Sequence, residues 1–123
     1  MTHTVLVVDD EQDVRTLAVM SLQRIGGYQV RAAASGSECL AELAREVPDV
    51  VVLDVMMPMM DGPMTLDQIR SDPLAHAVPV VFLTAGVAEA DLARLGAMSV
   101  SGVLGKPFDP LTFPAELARL LGW

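Results

Sequence analysis

Four short apolar runs punctuate the chain: TVLVV (4–8), VVVL (50–53), VPVVFL (78–83) and VSGVL (100–104). A strand with one wet face alternates apolar and polar residues. These runs are apolar at almost every position and rich in β-branched side chains, which predicts strands buried on both faces, as in a parallel sheet. YQVRAAA (28–34) predicts a fifth, weaker strand.

Between the runs the apolar period lengthens to that of a helix. In EQDVRTLAVMSLQRI (11–25), Val14, Leu17, Ala18, Ser21, Leu22 and Ile25 form an inward stripe, stopped by Gly26 and Gly27. Ser35 predicts the N-cap of GSECLAELARE (36–46), with Glu38 completing a capping box and Cys39, Leu40 and Leu43 facing inward. MTLDQIRS (64–71) and VAEADLARLGA (87–97) predict two further helices, and PAELARLL (114–121) a last one closed by Gly122. Pro110 and Pro114 resist a helix interior, so a turn is expected over 109–113 and regular helix from about Pro114. Such alternation of strand and helix, without repeat or linker, predicts βαβ units with right-handed crossovers. The expected architecture is a single α/β domain over residues 1–123, a five-stranded doubly wound parallel sheet with helices on both faces.

Composition narrows the classes. At 123 residues and 52% hydrophobic the chain is one globular domain, not a disordered segment. No apolar stretch reaches the roughly 18 residues of a membrane span, and MTHTVLVVDD lacks the basic flank of a secretory signal, so no membrane insertion is expected. One cysteine, Cys39, forms no internal disulfide, which fits a reduced, cytoplasmic setting. Sixteen acids against eight bases give a net charge of −8, which argues against direct nucleic-acid binding. That acidity either keeps the chain dissolved or gathers around a cation, and composition does not separate the two.

Position does. Asp9 and Asp10 follow the first strand, Asp54 the third and Thr84 the fourth, while Lys106 lies just past the fifth. In a sheet ordered 2-1-3-4-5 these residues share the carboxyl edge, where doubly wound folds bind ligands, and the three aspartates become neighbours. Three adjacent carboxylates resist ionising together without a cation. A hard divalent ion such as Mg²⁺ suits one or two carboxylates with waters and a phosphate. Thr84 and Lys106 are of the types that grip phosphoryl oxygens, and an aspartate can attack phosphorus to form an acyl phosphate. In VVLDVMMPMMDG (51–62) a rigid strand therefore presents Asp54, and Pro58, Asp61 and Gly62 turn the chain away behind it. Met56, Met57, Met59, Met60 and Met64 read as gap-fillers of core and loop rather than a soft-metal site. Cys39 reads as a buried helix residue, His3 and His76 as solvated, and Trp123 as a packing cap for the last helix. Glu11 begins the first helix, favouring its dipole, with a supporting role at the metal as the alternative.

VLVVDDE, VVLDVMMPMMDG, VVFLTA and GKPF, in this order, resemble the receiver domain of two-component response regulators over essentially the whole chain. The resemblance implies a flavodoxin-like fold and an aspartyl-phosphate phosphorelay, a signalling phosphoacceptor rather than an enzyme with a separate substrate. Asp54 would accept a phosphoryl group from a histidine kinase or a histidine phosphotransfer protein. Asp10, Asp54 and the backbone carbonyl of Met56 would bind Mg²⁺, for which Mn²⁺ could substitute, with Asp9 acting through water. Thr84 and Lys106 would bind the phosphoryl group, and the bond before Pro107 would be cis. The 87–121 face would then switch toward a downstream protein target. Two departures stand out. Val103 replaces the usual switch aromatic, which implies a shallow rearrangement centred on Thr84–Val87. Gly86 leaves bare a position from which side chains shield the acyl phosphate, with Met56 covering the other side; a short-lived phosphoryl group is expected. A stand-alone receiver is favoured over one excised from a larger response regulator or hybrid kinase. An aspartyl-phosphate phosphatase would need an acid where Met56 stands, and a flavin protein would need a phosphate-binding loop where DDEQD stands.

Overall fold

The computed structural model describes residues 2–86 and 88–123. Ten elements alternate strictly: β1 (Thr4–Val8), α1 (Gln12–Arg24), β2 (Gln29–Ala33), α2 (Gly36–Arg45), β3 (Val50–Asp54), α3 (Gly62–Arg70), β4 (Val80–Thr84), α4 (Glu89–Gly96), β5 (Gly102–Gly105) and α5 (Phe113–Leu121). The strands are all parallel, in the order β2-β1-β3-β4-β5.

The continuous apolar runs have a simple cause. Successive strand residues point to opposite faces, and both faces are covered. Leu6, Val8, Val51, Leu53 and Phe82 pack with Cys39, Leu43, Leu66, Ile69 and Leu95 of α2, α3 and α4. Val5, Val7, Val50, Val52, Val81 and Leu83 pack with Ala18, Leu22, Phe113 and Leu117 of α1 and α5. Every residue of β3 and β4, and all of β1 but Thr4, is thus buried regardless of parity, while the edge strands β2 and β5 stay partly open.

Helix ends follow local chemistry. Ser35 Oγ accepts from the Glu38 amide at 3.1 Å, and the Glu38 carboxylate accepts from Ala34 rather than from Ser35 itself, so the capping box is shifted by one residue. Asp61 caps α3 by accepting from the Met64 amide at 2.9 Å, and the helix begins at Gly62, two residues before the sequence pattern predicts. Gly62 is required there: a Cβ would lie 2.7 Å from the Asp54 carbonyl oxygen and 2.8 Å from Val55 Cα. Pro114 occupies the first turn of α5, where a missing N–H costs nothing, and Gly122 ends it with φ 71°.

Four expectations need correction. The inward stripe of α1 is narrower than its apolar period: Ala18, Ser21 and Leu22 are buried, whereas Leu17 and Ile25 are 41% and 50% exposed. Ser21 is buried because its hydroxyl donates to the Pro110 carbonyl at 2.5 Å, tying α1 to the β5–α5 loop, while Ile25 lies past the last helical turn. His3 is half-exposed but not a free tail residue; it stacks on Trp123 with ring centroids 3.8 Å apart, and Tyr28 meets Trp123 edge-on at 5.2 Å. The methionines divide, with Met57 buried and Met56, Met59 and Met64 exposed. Strands β4 and β5 also start two residues later than predicted, at Val80 and Gly102.

Candidate functional site

Register sets the site before any side chain does. Val8 pairs with Leu53, which places Asp9 level with Asp54 on adjacent strands. Asp54 pairs with Leu83, so Thr84 stands one residue further out. Thr84 pairs with Gly105, which puts Lys106 one step beyond that. The polar residues form a staircase along the carboxyl edge, and a side chain as long as lysine can reach back down it.

Lys106 does so. Its Nζ lies 2.9 Å from Asp9 Oδ2, 3.3 Å from Asp54 Oδ1 and 3.4 Å from Glu11 Oε1. Asp9, Asp10 and Asp54 each offer an oxygen within 4.8 Å of the others. Asp9 and Asp54 are buried, and Asp10 is exposed. Asp9 is further fixed: its Oδ1 accepts from the Glu11 amide at 2.9 Å, and its carbonyl oxygen accepts from Arg15 at 2.8 Å. Asp54 is less satisfied. Among the described residues, Oδ1 takes only a long 3.4 Å bond from the Met56 amide besides Lys106, and Oδ2 is buried with no partner.

That imbalance shows in its acidity. Burial, and then the negative charge of Asp9, push Asp54 from 3.8 up to about 7, against the pull of Lys106 and the Met56 amide. For Lys106, burial works to lower the value, but the hydrogen bond to Asp9 and the charges of Asp54 and Asp9 outweigh it and hold the ammonium above an ordinary lysine. The site is therefore short of positive charge: among the described residues only Lys106 pairs with the carboxylates, while the Arg15 guanidinium is held on the Asp9 carbonyl. An orphaned carboxylate oxygen within an all-oxygen donor set fits a hard divalent cation.

The remaining predicted residues surround this core. Thr84 is buried, and its Oγ1 accepts from the Gly86 amide at 3.0 Å, leaving the hydroxyl proton available to donate elsewhere. The Lys106–Pro107 peptide bond is cis. Val103 is paired with Phe82 and packs partly buried against the face that carries α4. Val87 lies outside the described residues. Met56 is 74% exposed at the rim. Beside Lys106 a cavity of about 260 Å³ opens between Val14 and Leu17 of α1 and Pro107 and Phe108 of the β5–α5 loop. The cavity explains the exposure of Leu17, which lines it. Arg15, which grips the Asp9 carbonyl, had no place in the sequence reading of the site, and Glu11, whose alternative reading was support at the metal, pairs with Lys106. The i, i+4 spacing of Glu11 and Arg15 was the available signal, since it sets both on one face above Asp9. His76 lies exposed, away from these groups.

Comparison with known proteins agrees with this geometry. The family model for the response regulator receiver domain matches residues 5–118. The alkaline phosphatase synthesis transcriptional regulatory protein PhoP of Bacillus subtilis is 36% identical over 121 residues, covering 98% of this chain and 49% of that protein. The chain spans about half the length of this relative and of others such as Response regulator Rre1 of Synechocystis. Among solved structures, the chemotaxis response regulator CheY4 of Vibrio cholerae superimposes with a TM-score of 0.88 at 32% identity, over 98% of this chain and 99% of that one. With the doubly wound sheet, the acidic edge and a family match over nearly all its length, the chain belongs to the response regulator receiver domains of two-component systems.

Proposed function

We propose that Asp54 is the phosphoacceptor of a two-component phosphorelay. The observation that carries this reading is the Asp54 Oδ2 atom, buried and unpartnered within a carboxylate cluster that faces Lys106. A carboxylate already bonded on both oxygens is a poor nucleophile, and this one keeps an oxygen free. In the transfer, an Asp54 oxygen forms a bond to the phosphorus of a phosphohistidine. The N–P bond breaks, its electron pair stays on the imidazole of the histidine kinase or histidine phosphotransfer protein, and that nitrogen takes up a proton.

Asp10, Asp54 and the Met56 backbone carbonyl would hold Mg²⁺, with Asp9 acting through water. The bound ion supplies charge neutralisation for incoming phosphoryl oxygens that meet three carboxylates. The chain does the rest. Lys106 releases its hold on Asp54 Oδ1 and bonds a phosphoryl oxygen instead. Thr84 turns its hydroxyl proton to another. Phosphorylation adds nearly two negative charges and three acceptor oxygens, so these bonds exist in one state only.

Movement of Thr84 carries with it the loop through Gly86 and the α4 segment beyond. Val103 offers one torsion and little area to redistribute, so the loop and α4 carry the switch more than β5 does. The 87–121 face, described from residue 88 onward, then docks a downstream protein. No helix is long and apolar enough to cross a membrane among the described residues.

Incubation with Mg²⁺ and acetyl phosphate, read by intact mass, tests the reading. The expected result is a gain of one phosphoryl group, absent in Asp54→Ala and absent with EDTA. A protein that gains none from any small donor or partner kinase is a receiver fold without phosphoacceptor chemistry.

A further inference from the structure

Among the described residues the most exposed sulfur atoms belong to thioethers of the loop between β3 and α3, with Met20 of α1 and Met64 of α3 less open. The single thiol, Cys39, is buried, and that burial with the charge of Glu42 pushes it up to about 12, so it offers no thiolate. Five of the eight methionines, in contrast, fall within residues 56–64. Packing accounts for Met57, which is buried, and for Met60, whose sulfur would lie 2.9 Å from a Cβ on Gly36. Packing does not account for Met56 at 74% exposure or Met59 at 99%. Apolar side chains left so open are not core fillers, and their sulfur lone pairs are open to reagents from solvent.

We propose that Met56 is a site of reversible oxidation by hydroperoxides, and that its sulfoxide shortens the life of the phosphoryl group on Asp54. The inference rests on the phosphoacceptor reading above. In the oxidation, the thioether sulfur gives a lone pair to one oxygen of hydrogen peroxide. The S–O bond forms, the O–O bond breaks, and the departing hydroxide takes a proton and leaves as water. Sulfur loses two electrons and the peroxide gains them. A thiol-dependent reductase reverses the step, converting two thiols to a disulfide and releasing the oxygen as water.

Position makes this one methionine consequential. Met56 follows Asp54 by two residues, and its amide lies 3.4 Å from Asp54 Oδ1, so its side chain is rooted at the rim of the acceptor carboxylate. On the opposite rim Gly86 has no side chain; its amide bonds Thr84 Oγ1. Of these two flanking positions, only Met56 carries an apolar side chain, which under this proposal covers the acyl phosphate against hydrolytic water. The sulfoxide replaces that cover with a polar acceptor that holds water at the rim. Met59 is more exposed still but sits five residues along, at a positive φ of 70° in the turn before α3. It is oxidised at least as readily and serves as an internal control.

The experiment treats the full chain with graded hydrogen peroxide and maps oxygen gain by peptide mass. Each sample is then loaded from acetyl phosphate with Mg²⁺, the donor is removed, and loss of the phosphoryl group is followed by intact mass. Met56 should gain oxygen well before Met57, and the half-life should fall about threefold with its oxidation. Met56→Leu should decay at one rate before and after peroxide, Met59→Leu should stay peroxide-sensitive, and methionine sulfoxide reductase should restore the original half-life. The proposal is overturned if Met56 resists while Met59 is oxidised, if the half-life ignores Met56 oxidation, or if Met56→Leu remains sensitive. Failure of the untreated protein to load would instead sink the phosphoacceptor reading, and the lifetime effect with it, while the peptide map still reported the oxidation.

Discussion

Asp54, the proposed phosphoacceptor, is structurally costly where it stands. Its carboxyl, raised from 3.8 to about 7 by burial and by Asp9, keeps its proton in the folded state over a range where the unfolded chain has released it. The native state then binds more protons than the unfolded one, so this residue makes stability fall as pH rises from about 4 to about 7. A shift of about three units is worth at most about 4 kcal/mol. Asp54→Asn removes the term while keeping the side-chain shape. Urea unfolding with EDTA should therefore find Asp54→Asn more stable than the parent, by a margin that widens between about pH 5 and about pH 7.5. Added Mg²⁺ should narrow that margin, because the ion takes the place of the proton on the parent alone. A margin that ignores both pH and metal would mean that Asp54 is not strained by its neighbours.

At the scale of an element, α4 is the least anchored helix in the molecule. Its cap residue Ala88 makes no side-chain cap bond, and among the described residues of the helix Leu95 is the buried one that fastens it to the sheet. Leu92 and Arg94 face solvent. The other helices each bury two or more residues. Little free energy thus separates a docked α4 from a displaced one, which is what a switching element needs. Val103 fits the proposed switch: with no aromatic ring to swing, β5 would serve as a fixed floor and α4 as the movable part. Leu95→Ala removes about 2–3 kcal/mol of burial and packing. The loss should surface as fast amide hydrogen exchange confined to residues 90–98, with the strands still protected and loading from acetyl phosphate retained. Global unfolding instead would show that α4 is integral to the core.

The whole molecule divides its labour between the two edges of one sheet, and the two were not equally legible. The carboxyl edge could be read in the chain because its chemistry lies in residue types, with acids, a threonine and a lysine stationed where apolar runs stop. The staircase of Asp9, Asp54, Thr84 and Lys106 then needs only parallel register, which the apolar runs already imply. What escaped reading depends on partners distant in sequence or on exposure. His3 meets Trp123 across nearly the full chain, and the turn that leaves Met59 outside is not visible in a pattern of apolar letters. Arg70 is the fullest case, because its partners are carbonyl oxygens that no residue type advertises. It stands at the amino edge, donating to the carbonyls of His76 at 3.0 Å, Val78 at 2.7 Å and Ser99 at 2.6 Å, so it fastens the end of α3 to the loops before β4 and β5. Among the described residues it has no carboxylate partner, and burial lowers its pKa. Three carbonyls would lose their donor in Arg70→Met, which keeps much of the apolar stem. A stability loss of about 2–4 kcal/mol is expected. Arg70→Lys should recover only part of it, since a single ammonium cannot hold three acceptors in a planar fork. Loading of Asp54 from acetyl phosphate in either variant should match the parent under native conditions, because the clamp touches none of the acid-edge residues. Asp54→Asn makes the opposite pair of changes, losing the phosphoryl group while gaining stability. Opposite outcomes at opposite edges would establish that the sheet separates holding the fold from performing the chemistry, and loss of loading in Arg70→Met would join them.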